Sequence, residues 1–305
     1  MPERKAARIV ASFSSTGVAE LEDGTLVACK YRRSSGRPVC GDRVQLERYE
    51  PDYVVKIIEE RRNRFIRADI RQNKKLVAAN LDQVLIVLAP YPAPSQDLLD
   101  RYIVAATSLG ITPLIIYNKW ELREVEKHRE VARELAEKLE YFQDMGYEVL
   151  STSCKTDPGT GALLAASPGK TSILVGQTGV GKSSLVKALV PDRDIQVSSV
   201  SAATGKGTHT TTTTTLYHLP GAGSLVDSPG VWEYGLWHMP GAEIAHGYRE
   251  FNQYSGTCKF ADCLHVAEPG CAVKNAAAEG NISESRYQSY LRTLQLYATE
   301  LNESA

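Results

Sequence analysis

Short runs of apolar residues, separated by turn-forming residues, fill the first 66 positions and predict β-strands. The predicted strands are 7–11, 25–29, 43–46 and 53–58, with Gly24, Gly36 and Gly41 in the turns between them. Short strands at this spacing are typical of a small closed β-barrel such as an OB-fold.

The pattern changes after about residue 76, where apolar strands alternate with helical stretches. The predicted strands are 84–88, 114–117, 149–152, 173–175 and 225–226, and the predicted helices are 97–109, 121–142 and 182–190. This alternation predicts a parallel sheet with helices on its faces. Ligands of such sheets bind at the carboxyl ends of the strands.

The last region, from residue 236 onward, begins with a group of cysteine and histidine residues. A long helix is predicted near 283–301, with a capping segment at 281–284. The sequence thus predicts three domains, at 1–68, 69–235 and 236–305. We expect a β-barrel, a central α/β unit and a mostly helical C-terminal unit.

Composition and charge add one asymmetry to this division. The 305 residues are 43% hydrophobic, as in ordinary globular proteins, and carry a formal net charge of −1. Residues 1–75 hold 17 Lys/Arg against 11 Asp/Glu, a net charge of +6. A basic barrel suits nucleic acid, although a purely structural module remains possible. The basic residues between the predicted strands are Lys30, Arg32, Arg33, Arg37, Arg61, Arg62 and Arg64.

Neither a signal sequence nor a membrane span is predicted. The start, Met1 to Lys5, is charged, and the most apolar run, Val84 to Ala89, is far too short to cross a bilayer. We therefore expect a cytoplasmic protein, in which cysteines stay reduced and a cysteine cluster indicates metal binding.

The segment 176–183 has the pattern G-x-x-x-x-G-K-S of a phosphate-binding P-loop, between a predicted strand and a predicted helix. Its backbone N–H groups are expected to surround the β-phosphate, Lys182 to bind the β- and γ-phosphates, and Ser183 to bind Mg²⁺. The predicted nucleotide-binding residues here are Gly176, Gln177, Thr178, Gly179, Val180, Gly181, Lys182, Ser183 and Ser184.

Two further segments complete the predicted phosphate and Mg²⁺ site. Asp227 and Gly230 form a D-x-x-G motif after a strand, with Asp227 expected near Mg²⁺ and Gly230 near the γ-phosphate. Between this motif and the P-loop, a threonine run must supply the remaining Mg²⁺ ligand. Thr210 and Thr211 both stay open as that ligand.

Guanine recognition is predicted from two segments that precede the P-loop. Asn118, Lys119 and Glu121 resemble an N-K-x-D motif with Glu in place of Asp, and Ser153, Cys154 and Lys155 resemble an S-A-K loop. In ordinary GTPases both motifs follow the P-loop, so this order predicts a circularly permuted GTPase. Because packing depends on contacts and not on chain order, a sheet tolerates such a permutation.

The residue after the D-x-x-G motif is Val231, which cannot orient a water molecule as glutamine does in many GTPases. His209, within the threonine-rich segment, is the polar candidate for this catalytic role. Intrinsic hydrolysis is therefore expected to be slow, or to depend on another group.

Four residues near the C-terminus predict a metal site. Three thiolates and one imidazole within 14 residues suit one tetrahedral Zn²⁺, and four protein ligands leave no open position, so the site is expected to be structural. The predicted ligands are Cys258, Cys263, His265 and Cys271.

The whole chain resembles the ribosome small-subunit-dependent GTPase family (RsgA, also called YjeQ or YloQ). The resemblance rests on 41–44, 79–83, 176–184, 207–212, 227–231 and the cysteine cluster. It implies an OB-fold, a permuted GTPase and a zinc domain, with His209 as the catalytic histidine. It also implies a monomer that binds GTP or GDP, the 30S subunit and its 16S rRNA, and is stimulated by that subunit during late maturation.

Two alternatives to a ribosome-stimulated GTPase stay open. One is an RNA-binding assembly factor gated by nucleotide, for which hydrolysis matters little. The other is an NTPase without guanine preference, because Glu121 is longer than the usual Asp.

Overall fold

The computed structural model describes most of the chain in eight stretches. They are residues 4–32, 35–50, 52–68, 74–95, 97–156, 159–192, 214–228 and 236–299.

The N-terminal unit is a closed five-stranded barrel, as predicted. Its strands are β1 (Arg4–Ser12), β2 (Thr16–Leu21), β3 (Leu26–Lys30), β4 (Arg43–Tyr49) and β5 (Asp52–Ile58). The strand order is β1-β2-β3-β5-β4, and β4 pairs again with β1 to close the barrel. Ile9, Val44, Leu46 and Val55 fill its interior without exposed surface. The prediction missed β2, so it had four strands where the barrel has five.

A separate two-stranded hairpin, β6 (Arg64–Ala68) and β7 (Lys74–Ala79), leads from the barrel into the central unit. The hairpin was not predicted. The prediction placed a domain limit at 68/69, inside this hairpin, and the limits at 68 and 235 stay predictions.

The central unit is a six-stranded portion of the sheet in the order β10-β9-β8-β11-β13-β12. Five strands run parallel, as predicted, whereas β12 is antiparallel to β13 and was missed. The strands are β8 (Gln83–Leu88), β9 (Thr112–Tyr117), β10 (Val149–Ser151), β11 (Thr171–Val175), β12 (Thr215–Leu219) and β13 (Gly223–Asp227).

The path of the chain through this sheet creates a crevice. From β8 the chain moves outward to β9 and β10, then returns to β11, which lies between β8 and β13. The strand order therefore reverses between β8 and β11, and ligands of open parallel sheets bind at the carboxyl ends beside such a reversal. The P-loop follows β11, and 118–121 follows β9.

The helices beside the sheet are α1 (Leu98–Ser108), α2 (Arg129–Asp144), α3 (Gly161–Ala165) and α4 (Lys182–Leu189). The predicted helix 121–142 was wrong in its first part, which consists of the 3₁₀ turns Trp120–Glu124 and Glu126–His128. Lys119 has a left-handed backbone with φ of 58°, and Val125 is extended, so no α-helix can continue through either. Among the described helices, none has the length and apolar character needed to cross a bilayer.

The barrel is joined to the central unit edge to edge. Ala11 of β1 pairs with Thr215 of β12, which makes one continuous sheet of eleven strands. Nearby, His218 Nε2 lies 2.8 Å from Glu20 Oε1. The barrel is thus attached to the strand that follows the threonine run.

The C-terminal unit is helical, as predicted, and packs on α1. Its α-helices are α5 (Gly241–His246), α6 (Asn252–Ser255), α7 (Ala272–Ala278) and α8 (Glu284–Tyr297). Buried Arg286 of α8 bonds to Asp100 of α1 and donates bonds of 2.6 and 3.0 Å to Glu250. Six residues further along α8, Arg292 pairs with Asp97 at 2.6 and 2.9 Å. Two arginines of α8 therefore hold the C-terminal unit against the start of α1.

Candidate nucleotide site and metal cluster

The P-loop turns at two glycines whose positions admit no side chain. Gly176 has φ of +144°, and a Cβ there would lie 2.3 Å from the carbonyl oxygen of Val87. Gly181 has φ of +99°, and a Cβ there would lie 2.4 Å from Nδ2 of Asn118. Glycine tolerates both backbone conformations and both close approaches. The loop therefore packs tightly on β8 and on the segment after β9.

Lys182 begins α4 and is almost completely buried, with 3% of its surface exposed. Its Nζ donates to the carbonyl oxygen of Gly176 at 2.6 Å and to that of Gln177. Burial lowers the pKa of Lys182 to about 8, because a charged ammonium is poorly solvated inside the protein. A bound phosphate group would bring negative charge to this ammonium.

The segment after β9 is bonded directly to the P-loop. Asn118 Nδ2 donates to the carbonyl oxygen of Val180 at 2.8 Å, and Thr152 Oγ1 donates to Asn118 Oδ1 at 3.1 Å. Lys119 Nζ donates to the carbonyl oxygen of Gly179 at 2.6 Å. The two segments predicted to bind base and phosphate are therefore held together as one site.

Glu121 is held by the loop that follows β10. Ser153 Oγ donates to Glu121 Oε2 at 2.8 Å and accepts from the backbone N–H groups of Lys155 and Thr156, each at 3.0 Å. Ser153 is buried, whereas Cys154 and Lys155 are exposed. Residues 153–155 thus lie next to Glu121, and a serine hydroxyl fixes the longer Glu side chain.

Two adjoining cavities lie over these residues and share Lys119, Gly181 and Ser184. The cavity on the P-loop side has a volume of about 460 Å³ and is also lined by Thr178, Gly179, Lys182 and Ser183. The cavity on the other side has a volume of about 180 Å³ and is also lined by Tyr91, Asn118, Glu121, Leu122, His128, Cys154 and Lys155. Two adjoining spaces of this kind suit the phosphate and base ends of a nucleotide.

Only some of the remaining predicted residues of this site are among the residues that the structure describes. Asp227 ends β13, which is parallel to β11, and Thr214 Oγ1 lies 2.9 Å from Ser228 Oγ beside it. His209, Thr210, Thr211, Gly230 and Val231 lie outside the described residues.

Three of the four predicted metal ligands are in close mutual contact. Cys258 Sγ is 3.9 Å from Cys271 Sγ and 3.6 Å from His265 Nδ1, which is 3.4 Å from Cys271 Sγ. With Cys263 included, all four ligand atoms lie within 4.8 Å of one another. Zn–S bonds of about 2.3 Å in a tetrahedron give S···S distances of about 3.8 Å, so the cluster could hold a metal ion of this size.

The surrounding residues hold this cluster in place. Glu268 accepts from the backbone N–H groups of Leu264, Val266 and Ala267 at 2.7 to 3.0 Å. From α8, Tyr287 donates to the carbonyl oxygen of His265 at 2.7 Å. Burial lowers the pKa of His265, which favours the neutral imidazole that metals require.

Comparisons with known proteins agree with this architecture. The family model for the RsgA GTPase matches residues 58–237. A protein of Haemophilus influenzae (strain 86-028NP) named "Small ribosomal subunit biogenesis GTPase RsgA" is 41% identical over 292 residues, covering 94% of this chain and 83% of that protein. The chain belongs to the RsgA GTPase family. It is accordingly a GTP-hydrolysing enzyme.

Other members of the RsgA family extend the comparison. A protein of the same name from Chromohalobacter salexigens is 44% identical over 295 residues, covering 95% of this chain and 85% of that protein. The crystal structure of YjeQ from Thermotoga maritima has a TM-score of 0.76 at 30% identity, covering 95% of this chain and 97% of that one. The crystal structure of YloQ, a circularly permuted GTPase, has a TM-score of 0.74 at 26% identity, covering 99% of this chain and 96% of that one. The permuted order predicted from the motifs is thereby confirmed.

Some residues at the site carry no motif and were missed by the sequence analysis. Tyr91 and His128 line the base-side cavity, but neither belongs to a recognisable pattern. The one available signal for Tyr91 was its place just after the buried strand β8.

Proposed function

We propose that this chain hydrolyses GTP as a late maturation factor of the small ribosomal subunit, and that the subunit stimulates hydrolysis. The proposal rests on one observation. Asn118 and Lys119, in the segment predicted to bind guanine, donate hydrogen bonds to the P-loop at the place where the strand order of the sheet reverses. Two relatives with 41% and 44% identity are named for biogenesis of that subunit.

The proposed nucleotide contacts follow the geometry of the two cavities. The triphosphate lies over the P-loop, from Gly176 to Ser184, near Lys182 and the γ-phosphate contact at Gly230. Guanine lies in the base-side cavity, where Glu121 accepts from its N1–H and 2-amino groups and Asn118, Ser153, Cys154 and Lys155 surround it. Adenine lacks these donors, so the carboxylate favours GTP.

Mg²⁺ is proposed to be held by Ser183, Asp227 and one of Thr210 and Thr211. When bound, it neutralises charge that develops on the phosphates. His209 orients the attacking water, because Val231 occupies the position where many GTPases have glutamine. An activating partner would raise the rate by placing a polar group such as His209 against the attacking water.

The ion proposed for Cys258, Cys263, His265 and Cys271 is one structural Zn²⁺. The chemistry of the donors supports this choice, because thiolate and imidazole ligands in a closed set of four are typical of structural zinc. Zn²⁺ stabilises the loop that contacts α8, and α8 in turn holds α1.

The barrel is proposed to bind 16S rRNA, with a monomeric cytoplasmic protein as the active form. Arg61 and Arg62 are less available to bind RNA phosphates, because Arg61 pairs with Asp42 and Arg62 pairs with Asp82. Exposed Arg32, Arg37 and Arg43 are better placed to reach phosphate groups.

GTP hydrolysis titrated with mature and immature 30S subunits tests the proposal. We expect slow intrinsic turnover and a rate increase of at least about tenfold with one of the two preparations. The variant K182A should show no turnover with either, which excludes contaminating activity. Turnover that is unchanged by both subunits would reject stimulation, while leaving GTP hydrolysis by the chain itself intact.

A further inference from the structure

Tyr91 is an exposed aromatic residue at the rim of the base-side cavity. It follows β8, and 61% of its surface is accessible, more than for any other large hydrophobic residue among those described. A single exposed aromatic ring is ordinary on a protein surface, but this ring lines a cavity that also contains several polar groups, which is the usual setting of a ligand site.

The backbone of Tyr91 is fixed to the nucleotide site. Its carbonyl oxygen accepts from Lys119 Nζ at 2.7 Å, and the same ammonium donates to the carbonyl oxygen of Gly179 at 2.6 Å. The next residue, Pro92, lies against the P-loop, 3.3 Å from the position that a Cβ of Gly179 would occupy. The segment 91–92 therefore connects the P-loop to the lysine of the base-reading motif.

The ring of Tyr91 is also held in place. Its centroid lies 5.2 Å from that of His128, with an angle of 35° between the two planes. His128 ends the 3₁₀ turn Glu126–His128, which follows the turn that carries Glu121. The two rings line the same cavity as Glu121 and Lys155.

We propose that Tyr91 is a further guanosine-binding residue, whose ring, supported by His128, forms the outer wall of the base cavity. This inference rests on the proposed binding of guanine in that cavity. The Tyr91 ring packs against the guanosine moiety, and the Tyr91 carbonyl keeps Lys119 in position beside it. Packing of an aromatic ring against a nucleotide does not depend on which base is bound, but it adds appreciable affinity.

Affinities for GDP and GTP give the first test. Y91A removes the ring but keeps the carbonyl, so both nucleotides should bind about tenfold more weakly, and by the same factor. Y91F keeps the ring and should stay within about twofold of the parent chain. H128A should weaken binding of both nucleotides about threefold. H128F, which keeps an aromatic ring beside Tyr91, should bind them as tightly as the parent chain. Y49A, which removes an exposed tyrosine of the barrel, is the control and should have no effect.

A direct contact gives the second test. The full-length protein, deuterated except at its tyrosine rings, should show nuclear Overhauser contacts between bound GDP and one tyrosine, and Y91F should remove them. Absence of these contacts in a parent complex that binds GDP would overturn the proposal, whatever the affinities of the variants. If the parent chain bound no GDP at all, the proposed binding of guanine would be rejected instead. The experiment therefore distinguishes failure of the Tyr91 proposal from failure of the proposed function.

Discussion

Arg61 donates a hydrogen bond of 2.7 Å to each carboxylate oxygen of Asp42, and this carboxylate has no exposed surface. Asp42 Oδ2 also accepts from the backbone N–H of Val39 at 2.8 Å. The adjacent Gly41 accepts at its carbonyl from Asn80 Nδ2 at 3.0 Å. The segments 41–44 and 79–83, both part of the family resemblance, thus lie together where the barrel meets the central unit.

The first prediction concerns this ion pair. R61A leaves a buried carboxylate without its partner, so the free energy of unfolding should fall by about 3 kcal/mol. R48A is a matched control, because Arg48 and its partner Glu50 are both largely exposed, and it should cost less than about 1 kcal/mol. Urea unfolding measures both values. If the two variants lowered the free energy of unfolding by similar amounts, the buried Arg61–Asp42 pair would stabilise the fold no more than an exposed pair does.

From the sequence, the association of the three proposed nucleotide-binding segments was easier to deduce than some of the elements around them. The segments 118–121, 153–155 and 176–183 each follow a strand, and carboxyl ends of parallel strands meet at one edge, so their association could be deduced. Strand β12 was missed because its sequence, with the polar His218, follows a run of threonines and lacks a clear apolar core.

The basic residues of the barrel show another limit of sequence analysis. Arg61 and Arg62 were grouped with residues that face a nucleic acid, but both form ion pairs at the domain junction. Their partners, Asp42 and Asp82, lie 19 and 20 positions away in sequence. Charge composition alone does not show such pairing, because it depends on how the barrel and hairpin fold together.

The second prediction concerns the metal cluster. C263S removes one of four ligands, so the ion should be lost and the melting temperature should fall by about 10 °C. The C-terminal unit should loosen first, because Tyr287 of α8 bonds to the loop that carries His265. Metal analysis should find one equivalent of zinc in the parent chain and much less in the variant. C154S, which alters an exposed cysteine outside the cluster, should keep both the zinc and the stability.

Guanine selectivity gives the third prediction. E121Q replaces a carboxylate with an amide whose NH₂ group would face the donors of guanine, so GTP should bind about 10 to 100 times more weakly. E124Q lies in the same 3₁₀ turn, but Glu124 is exposed and paired with Arg123, and it should bind GTP normally. Competition by ATP should be poor for the parent chain. If ATP competes as well as GTP, Glu121 does not select guanine.

The fourth prediction tests His209. H209A should lower kcat about 100-fold, since a positioned polar group typically contributes this much to activating water. Affinity for GTP should stay unchanged, because the proposed role is confined to the attacking water. H246A replaces an exposed histidine of α5 and serves as the control. A kcat for H209A equal to that of the control would mean that another group orients the water.

The last prediction follows from the buried ammonium of Lys182. Its pKa is lowered to about 8, and a bound phosphate would raise that pKa by supplying negative charge. The free protein therefore loses this proton as the pH rises through about 8, while the complex keeps it. Affinity for GDP should be constant below pH 7 and fall by about tenfold between pH 7 and pH 9.

Calorimetry of GDP binding measures this proton directly. In buffers with different ionisation enthalpies, binding at pH 8.5 should take up most of one proton, and binding at pH 6.5 should take up almost none through Lys182. K182R is the informative variant, because arginine stays charged throughout this range and should abolish the uptake, even where its different shape weakens binding. Equal proton uptake by the parent chain and K182R at pH 8.5 would assign the pH dependence to another group. Uptake that disappears only in K182R would identify the P-loop lysine as the group that titrates on nucleotide binding.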